Sequence, residues 1–488
     1  MHTDSARENT WDLGLDVAIP RFDGSATDTV DIRSAEFTDT YYDTADRDLL
    51  AHGVTVVYGE GDARTSGWRV TVPAPDGQTT ELIDAPSTAV PAEIDDRLWG
   101  LRLGNALTVA AIVHTHRTRR RHLDADHELA YEVIDDSVSA TVTGPVATAT
   151  SWREISVTPG TESSTVPKNV RKRLIGAGAR PSSASSTFER AVGHEPATHD
   201  GLTPAAAAVA DYVREQLAAI FAGDVALRRG ESPVHAVRVA IRRLRSTLRT
   251  GAHFFDPQGL RTEGSKTVGR QALDDELRWF AGVLGEVRDR EVLRARFAAA
   301  IAELPDELVL GPVAARIEEE LSAQQHHHRQ TVVDEMTSDR YRRLLATLAT
   351  WRVDVPLSSA RTKRADVQRT AARAARKADK RLAHALSTGH DEDFHRARKA
   401  AKRARYAGEL AGPVVSKSAG RGQVKRYKKI QTVLGEHQDA AVAAAALREL
   451  GASAGVRNGE NGFTYGILYQ RELDAAAAAR SEVFADRG

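Results

Sequence analysis

Two periodicities divide the chain. Up to about residue 193, apolar and polar residues alternate in short runs separated by Gly, Pro and Asp. The runs Phe37–Thr44, Val54–Tyr58, Trp68–Pro73, Thr79–Leu82, Ala106–Arg117, Leu129–Ile134 and Trp152–Thr158 read as strands, because a period of two places every second side chain on the same face. Helices are expected at Lys168–Gly176 and Thr187–Val192. From Ala205 to Ala485 the pattern changes to a 3.6-residue repeat rich in Ala, Arg, Leu and Glu, with breaks at Pro257, Pro305, Pro356 and Gly412–Gly422. The stretch from His194 to Pro204 separates the two. The fold class that follows is an α+β chain of two domains, with an antiparallel β-barrel or tunnel ahead of an all-α domain.

Within the helical half, one polar pattern occurs twice. His235, Arg238, Arg242 and Arg245 are followed 160 residues later by His395, Arg398, Lys402 and Arg405. Offsets of three, seven and ten return to one side of a helix, so each set forms a basic ridge headed by a histidine. Clustered cations repel one another where water is partly excluded, and two such ridges imply a polyanion or an array of carboxylates between them. A second repeat, Leu284-Gly285-Glu286-Val287-Arg288-Asp289 and Leu434-Gly435-Glu436-His437-Gln438-Asp439, lies 150 residues apart. The half therefore reads as two similar helical subdomains, related by an approximate twofold and facing a shared cleft. Asp289 and Asp439 are expected to orient neighbouring Arg or His side chains.

Composition sharpens this division. The chain of 488 residues has a formal net charge of zero. Residues 1–200 hold 19 Lys and Arg against 31 Asp and Glu, leaving 48 against 36 for residues 201–488, so an acidic module of −12 precedes a basic one of +12. There is no cysteine, which excludes disulfides and thiolate zinc sites. No secretory signal or long apolar run is evident, so a cytoplasmic location is expected, with no membrane partner.

Further cations extend the candidate surface. Arg243, Arg249, Arg288, Lys399 and Arg403 flank the ridges and repeats; Arg373, Arg376, Lys377 and Lys380 share a helical face, and Lys425, Lys428 and Lys429 form a short patch. His326-His327-His328 cannot offer three ligands to one metal while helical, and an exposed turn is expected there.

The segments His235–Arg245 and His395–Arg405 resemble the signature helices of the CHAD domain, the conserved histidine α-helical domain. Leu277-Arg278-Trp279-Phe280 and the two Leu-Gly-Glu segments are similar to its other repeated elements. The resemblance spans 203–488, with subdomains at about 205–350 and 360–486. It implies two four-helix bundles around a basic channel that binds inorganic polyphosphate, in proteins often associated with polyphosphate granules. Counterion release by such a polymer would make binding strongly salt-dependent.

Residues 1–194 resemble, in turn, the CYTH domain of the triphosphate tunnel enzymes. The likeness rests on Thr40–Thr44, Leu49–Thr55, Gly67-Trp68, Arg117–Arg120, Glu132-Val133, Asp135-Asp136 and Trp152-Arg153-Glu154. It implies an eight-stranded barrel whose inward carboxylates hold Mg²⁺ or Mn²⁺ and whose cations hold phosphates. This chain departs from that pattern: Thr10, Asp12 and Gly14 stand where Glu, Glu and Lys are usual, and Thr71, Ser156 and Thr187 replace charged positions. Arg117, Arg119, Glu132, Asp135 and Glu154 remain. Losing one transition-state contact commonly costs about 10²–10³ in rate, and several are absent together.

The leading reading is a non-enzymatic polyphosphate-binding protein, capable of homo-oligomerisation, with no cofactor and no assigned catalytic or metal-ligating residue. A metal-dependent triphosphatase in the barrel is the alternative. A nucleic-acid-binding protein is less favoured, because aromatic stacking platforms are scarce beside the ridges.

Overall fold

The structure is a computed structural model. It describes residues 9–20, 22, 28–61, 66–74, 77–85, 87–124, 126–160, 165–182, 184, 186–193, 199, 201–257, 269–415, 417–456 and 460–485. The chain divides into two compact units, Met1–Thr198 and His199–Gly488.

The first unit is built on a nine-stranded antiparallel sheet. Its strands are β1 (Thr10–Leu13), β2 (Asp28–Asp43), β3 (Thr55–Glu60), β4 (Gly67–Ala74), β5 (Gly77–Ile83), β6 (Thr108–Leu123), β7 (Leu129–Val142), β8 (Thr148–Pro159) and β9 (Arg180–Pro181). They run in the order β5-β4-β3-β2-β6-β7-β8-β1-β9. Three short helices α1 (Asp48–Ala51), α2 (Ala92–Arg97) and α3 (Trp99–Arg102) fill connections, and α4 (Lys168–Gly176) and α5 (Thr187–Val192) coincide with the helices expected from the sequence.

The expected closed barrel is not formed: among the described residues no ladder joins β5 to β9. The edge strand β9 has two residues, and one of them, Pro181, has no N–H to donate.

Cross-strand register assigns the two faces of this sheet. Tyr41 opposes Val57 and Ala111, Val113 opposes Ala140, and Val138 opposes Trp152. These residues share one face, and Phe188 and Ala191 of α5 complete their buried cluster. The Phe188 ring stacks on Tyr41 at 4.8 Å. The other face carries Trp11, Leu13, Tyr131, Val133 and Ile155, covered by Val170 and Leu174 of α4. Each face is thus occupied by a helix over apolar side chains.

The second unit is helical: α6 (Pro204–Arg228), α7 (Val234–Thr250), α8 (Arg270–Ala302), α9 (Val313–Met336), α10 (Asp339–Val353), α11 (Arg364–Thr388), α12 (Asp391–Ala411), α13 (Lys417–Ala454) and α14 (Phe463–Ala485). The duplication maps α7 onto α12 and α8 onto α13. The halves differ from the expected pair of four-helix bundles, since α10 packs on α6, α8 and α9 and the second half, α11–α14, has no counterpart to it. They also share a core, in which Leu293, Phe297 and Ile317 of α8 and α9 pack with Leu447, Tyr465 and Leu468 of α13 and α14. Arg296 of α8 adds a polar tie, donating to Glu472 at 2.8 Å and to Glu436 at 2.6 Å.

The His326–His328 triplet lies inside α9 and not in a turn. The helix formers around it carry the helix through, and its side chains diverge around the axis.

Candidate anion-binding cleft

The two ridge helices are amphipathic in complementary ways. In α7 the buried stripe is Val234, Val237, Ile241, Leu244 and Leu248, whereas in α12 it is Phe394, Ala397, Ala401, Ala404 and Ala411. Spacings of three and four place each stripe on one side and leave the basic residues on another. The small residues of α12 permit close packing, and α7 and α12 lie against each other. Asp391, Glu392 and Asp393 occupy the first turn of α12, where carboxylates favour the positive end of the helix dipole.

One arginine of each ridge meets the glycine and aspartate of a Leu-Gly-Glu segment. Arg238 donates through Nη1 to the Ala281 carbonyl at 3.2 Å, and its Nη2 stands 3.8 Å from Asp289 Oδ1. Arg398 Nη2 stands 3.5 Å from Asp439 Oδ1. A Cβ on Gly285 would lie 2.3 Å from Arg238 Nη1, and one on Gly435 would lie 3.4 Å from Arg398 Nη2. The repeated glycines are therefore the floor on which the guanidinium groups rest. The repeats were visible in the sequence, but this role of their glycines was not.

The electrostatics show that the ridges converge. The Lys402 amine is pulled down to about 7, first by burial and then by Arg398, Arg242 and Arg238, with Asp439 opposing. Lys402 belongs to α12 and Arg242 to α7, so cations from both ridges share one environment. Burial raises the Asp289 carboxyl, Arg238 lowers it, and Asp439 is among the charges that raise it further. The Nε atoms of Arg242 and Arg398 are buried and have no hydrogen-bond partner among the described residues.

Both ridge histidines are held neutral. Burial and then Arg288 lower His235, whereas burial and then Lys399 lower His395. His395 Nδ1 lies 3.0 Å from Gln438 Oε1; the equivalent of Gln438 in the first half is Arg288, which pairs with Glu291 at 3.1 Å. The histidines offer hydrogen bonds at neutral pH, not charge.

Other candidate cations are engaged by carboxylates, most of them from another helix. Arg243 and Arg405 both reach Glu409, at 2.8 and 3.0 Å, and the Tyr212 hydroxyl donates to the same carboxylate at 3.2 Å. Arg245 and Arg249 share the buried Asp274 of α8, at 3.0 and 2.6 Å. Arg403 has its pKa lowered by burial and then by Arg249. These pairs hold the ridges in place, so the ridge expected to end at Arg245 and Arg405 carries its available charge nearer its middle. Of the remaining candidates, Arg373, Arg376, Lys377 and Lys380 are exposed on α11, and Lys425, Lys428 and Lys429 are exposed on α13, on the helical face that also carries Gly435 and Asp439.

In the first unit, the charged residues kept from the sequence pattern fall on one face of the sheet, apart from Asp135. Arg117 forms a bidentate pair with Asp136 at 2.7 Å, and Arg190 of α5 pairs with Asp12 and approaches Glu154 at 3.5 Å. Asp12, Glu154, Asp136 and Arg117 oppose one another across four strands and share the face covered by α5. Asp135 is one residue out of phase and points to the opposite face, where Arg153 binds it at 2.8 and 2.9 Å. Arg119 opposes Ile134, and Glu132 opposes Arg121. Among the described residues no group of three or more His, Asp or Glu is arranged to hold a metal ion.

A family model described as the CHAD domain matches residues 211–448. The chain contains a CHAD domain. Uncharacterized protein MT2285 and Uncharacterized protein Rv2226, from two strains of Mycobacterium tuberculosis, are each 31% identical to it over 503 residues, covering 98% of this chain and 94% of the relative. Among solved structures, PptA from Streptomyces chartreusis is 21% identical with a TM-score of 0.47, covering 58% of this chain and 100% of that one. The CHAD domain from the plant Ricinus communis is 25% identical with a TM-score of 0.44, covering 59% and 97%. The CHAD match contains both ridges and both Leu-Gly-Glu segments. Among the described residues no helix is long and apolar enough to cross a membrane.

Proposed function

We propose that this protein binds inorganic polyphosphate in the cleft between α7 and α12, and that the binding is not coupled to catalysis. The observation that carries this reading is the convergence of Arg238, Arg242, Arg398 and Lys402: burial first, and then the three arginines, depress Lys402 to about 7. Four cations close enough to perturb one another are costly in the empty cleft, and a flexible chain of phosphates removes that cost. Arginine forks engage two phosphate oxygens at once, and Lys402 acts as a compact point charge. His235 and His395 donate neutral hydrogen bonds at the heads of the ridges. Asp289 and Asp439 hold Arg238 and Arg398 in position.

The first unit serves as a non-catalytic scaffold with the outline of a triphosphate tunnel domain. Support comes from the face on which phosphate-handling residues would lie: it is packed with Tyr41, Val57, Val113, Val138 and Trp152 under α5, and its Arg117 and Arg190 are paired with Asp136 and Asp12.

The test is polyphosphate binding to the full chain across a salt series, beside a variant in which Arg238, Arg242, Arg398 and Lys402 are all replaced by Gln. The wild type should bind long-chain polyphosphate at micromolar or tighter concentration, with affinity falling steeply as salt rises. A variant that retains the affinity and the salt slope would refute the assignment.

A further inference from the structure

The ridge position two turns after each histidine is filled differently in the two halves: Arg242 in α7 and Lys402 in α12. A guanidinium group stays protonated at any ordinary pH, whereas an amine can lose its proton and become a nucleophile. Lys402 stands where that difference matters. It is half-buried, and among the described residues its amine has neither a hydrogen bond nor a carboxylate at ion-pair distance. Asp439, the aspartate of its own half, lies against Arg398 at 3.5 Å. Arg398 precedes Lys402 by one turn of α12, and Arg242 and Arg238 act on it from α7, with Asp439 of α13 opposing them. Lys402 in turn helps to keep His395 neutral. The Nε atoms of Arg242 and Arg398 are buried donors with no hydrogen-bond partner among the described residues.

An amine among cations has a characteristic chemistry. Burial and the three arginines hold Lys402 at about 7, so about half of the molecules carry a neutral amine at neutral pH, against about one in 3,000 for a lysine at the ordinary 10.5. The lone pair on Nζ can then attack the carbon of carbon dioxide. One C=O electron pair moves onto oxygen, the N–C bond forms, and one proton leaves the nitrogen for water. The product is a carbamate, so the side chain changes from a cation to an anion. That anion gives the stranded Nε–H groups of Arg242 and Arg398 an acceptor, and charge-assisted hydrogen bonds of this kind are about twice as strong as neutral ones. An arginine at the same position, as in the first half, could not react.

We infer that Lys402 is a site of reversible carbamylation by carbon dioxide, and that the carbamate, held by Arg238, Arg242 and Arg398, is an internal anion that occupies the cleft until a polyphosphate displaces it. The modification follows from the arrangement around Lys402 alone; only its displacement rests on the reading proposed above. Two ligands that exclude each other weaken one another by the same factor, so carbon dioxide lowers polyphosphate affinity and polyphosphate lowers carbamylation. At fixed dissolved carbon dioxide, carbamylation rises with pH through about 7, because the reaction consumes the neutral amine and releases protons.

The experiment equilibrates the full chain with isotopically labelled bicarbonate at slightly alkaline pH, traps carbamates as ethyl esters with triethyloxonium, and maps them by peptide mass spectrometry. Lys402 should carry the label at least about tenfold above the exposed Lys377 and Lys428. No label on Lys402, or equal label on all three, would overturn the inference. Arg242→Gln keeps the lysine and removes one cation, and should lower the Lys402 label several-fold. An unchanged label in that variant would overturn the part assigned to the arginines. Saturating long-chain polyphosphate should cut the label on the wild type at least about fivefold. Failure of the cleft assignment has a different signature: Lys402 would still be labelled, but polyphosphate would leave that label unchanged, which overturns the displacement and the cleft reading together.

Discussion

Arg398 Nη2 faces Asp439 Oδ1 across 3.5 Å, over a glycine that leaves room for the guanidinium group. Arg238 and Asp289 repeat the arrangement at 3.8 Å. The pairing is loose in both halves, and the aspartate side chains remain about half exposed. They guide the arginines without neutralising them as a tight bidentate pair would.

The glycine floor separates binding from stability. Gly285→Ala places a methyl 2.3 Å from Arg238 Nη1 and must displace the arginine tip, whereas Gly435→Ala meets Arg398 at an ordinary 3.4 Å. Alanine is favoured over glycine within a helix by about 1 kcal/mol, so neither change should lower the melting temperature. Polyphosphate affinity should fall several-fold in Gly285→Ala and little in Gly435→Ala. Parallel binding and thermal-melt measurements check this, and equal affinity in both variants would remove the glycine from the site.

Binding should weaken as pH rises from about 6 to 8. Lys402 loses its proton near 7 in the free protein because of burial, Arg398, Arg242 and Arg238, and a polyanion favours the protonated form. Calorimetry in buffers of different ionisation enthalpy should show proton uptake on binding near neutral pH. Lys402→Arg should abolish that uptake. In the ligand-free protein the sign is opposite. The folded-state value lies below the ordinary 10.5, so the unfolded chain binds more protons between about 7 and 10.5, and this residue's contribution to stability improves as pH rises through that window.

Glu409 is the acceptor for Arg243, Arg405 and the Tyr212 hydroxyl. Replacing it with Ala strands two partly buried guanidinium groups and should cost about 3 kcal/mol, the lower end for breaking a buried pair. Urea denaturation of the full chain reads this out. A double variant that also replaces Arg243 and Arg405 with Met should recover most of the loss, and no recovery would show that Glu409 acts through something other than these pairs.

Tripolyphosphate incubated with the full chain and Mg²⁺ or Mn²⁺ should release no phosphate above background. Metal-dependent release that disappears in Glu132→Ala would restore the enzymatic alternative for the sheet. The same preparation should still bind tripolyphosphate through its helical unit, which separates loss of chemistry from loss of binding.

The ridges were legible because a 3.6-residue repeat dictates both the buried stripe of Val237, Ile241 and Leu244 and the basic residues beside it. Their counter-charges were not legible: Asp274 lies on α8, and Glu409 reaches Arg243 only because α7 and α12 pack together. The sequence therefore showed more available cations than the fold leaves. In the first unit, alternation located β2 to β8 but not β1 or β9, and the resemblance to the triphosphate-tunnel pattern brought out the departures from it. It could not show that Asp135 and Asp136 face opposite ways until register fixed them, nor that a two-residue β9 ends the sheet. Phe188 and Arg190 looked like residues of an ordinary short helix; only tertiary packing sets one on Tyr41 and the other beside Asp12.

The internal duplication has one further consequence. A nucleic-acid strand has unlike ends, so a site that reads it must choose an orientation. Inorganic polyphosphate has none. A cleft that presents an Arg–Asp pair over glycine from each of two repeated halves offers matching contacts to a polymer entering from either end, and a polymer without polarity can shift by one phosphate and meet the same groups again. The ligand best matched to such a cleft is one that cannot be inserted backwards.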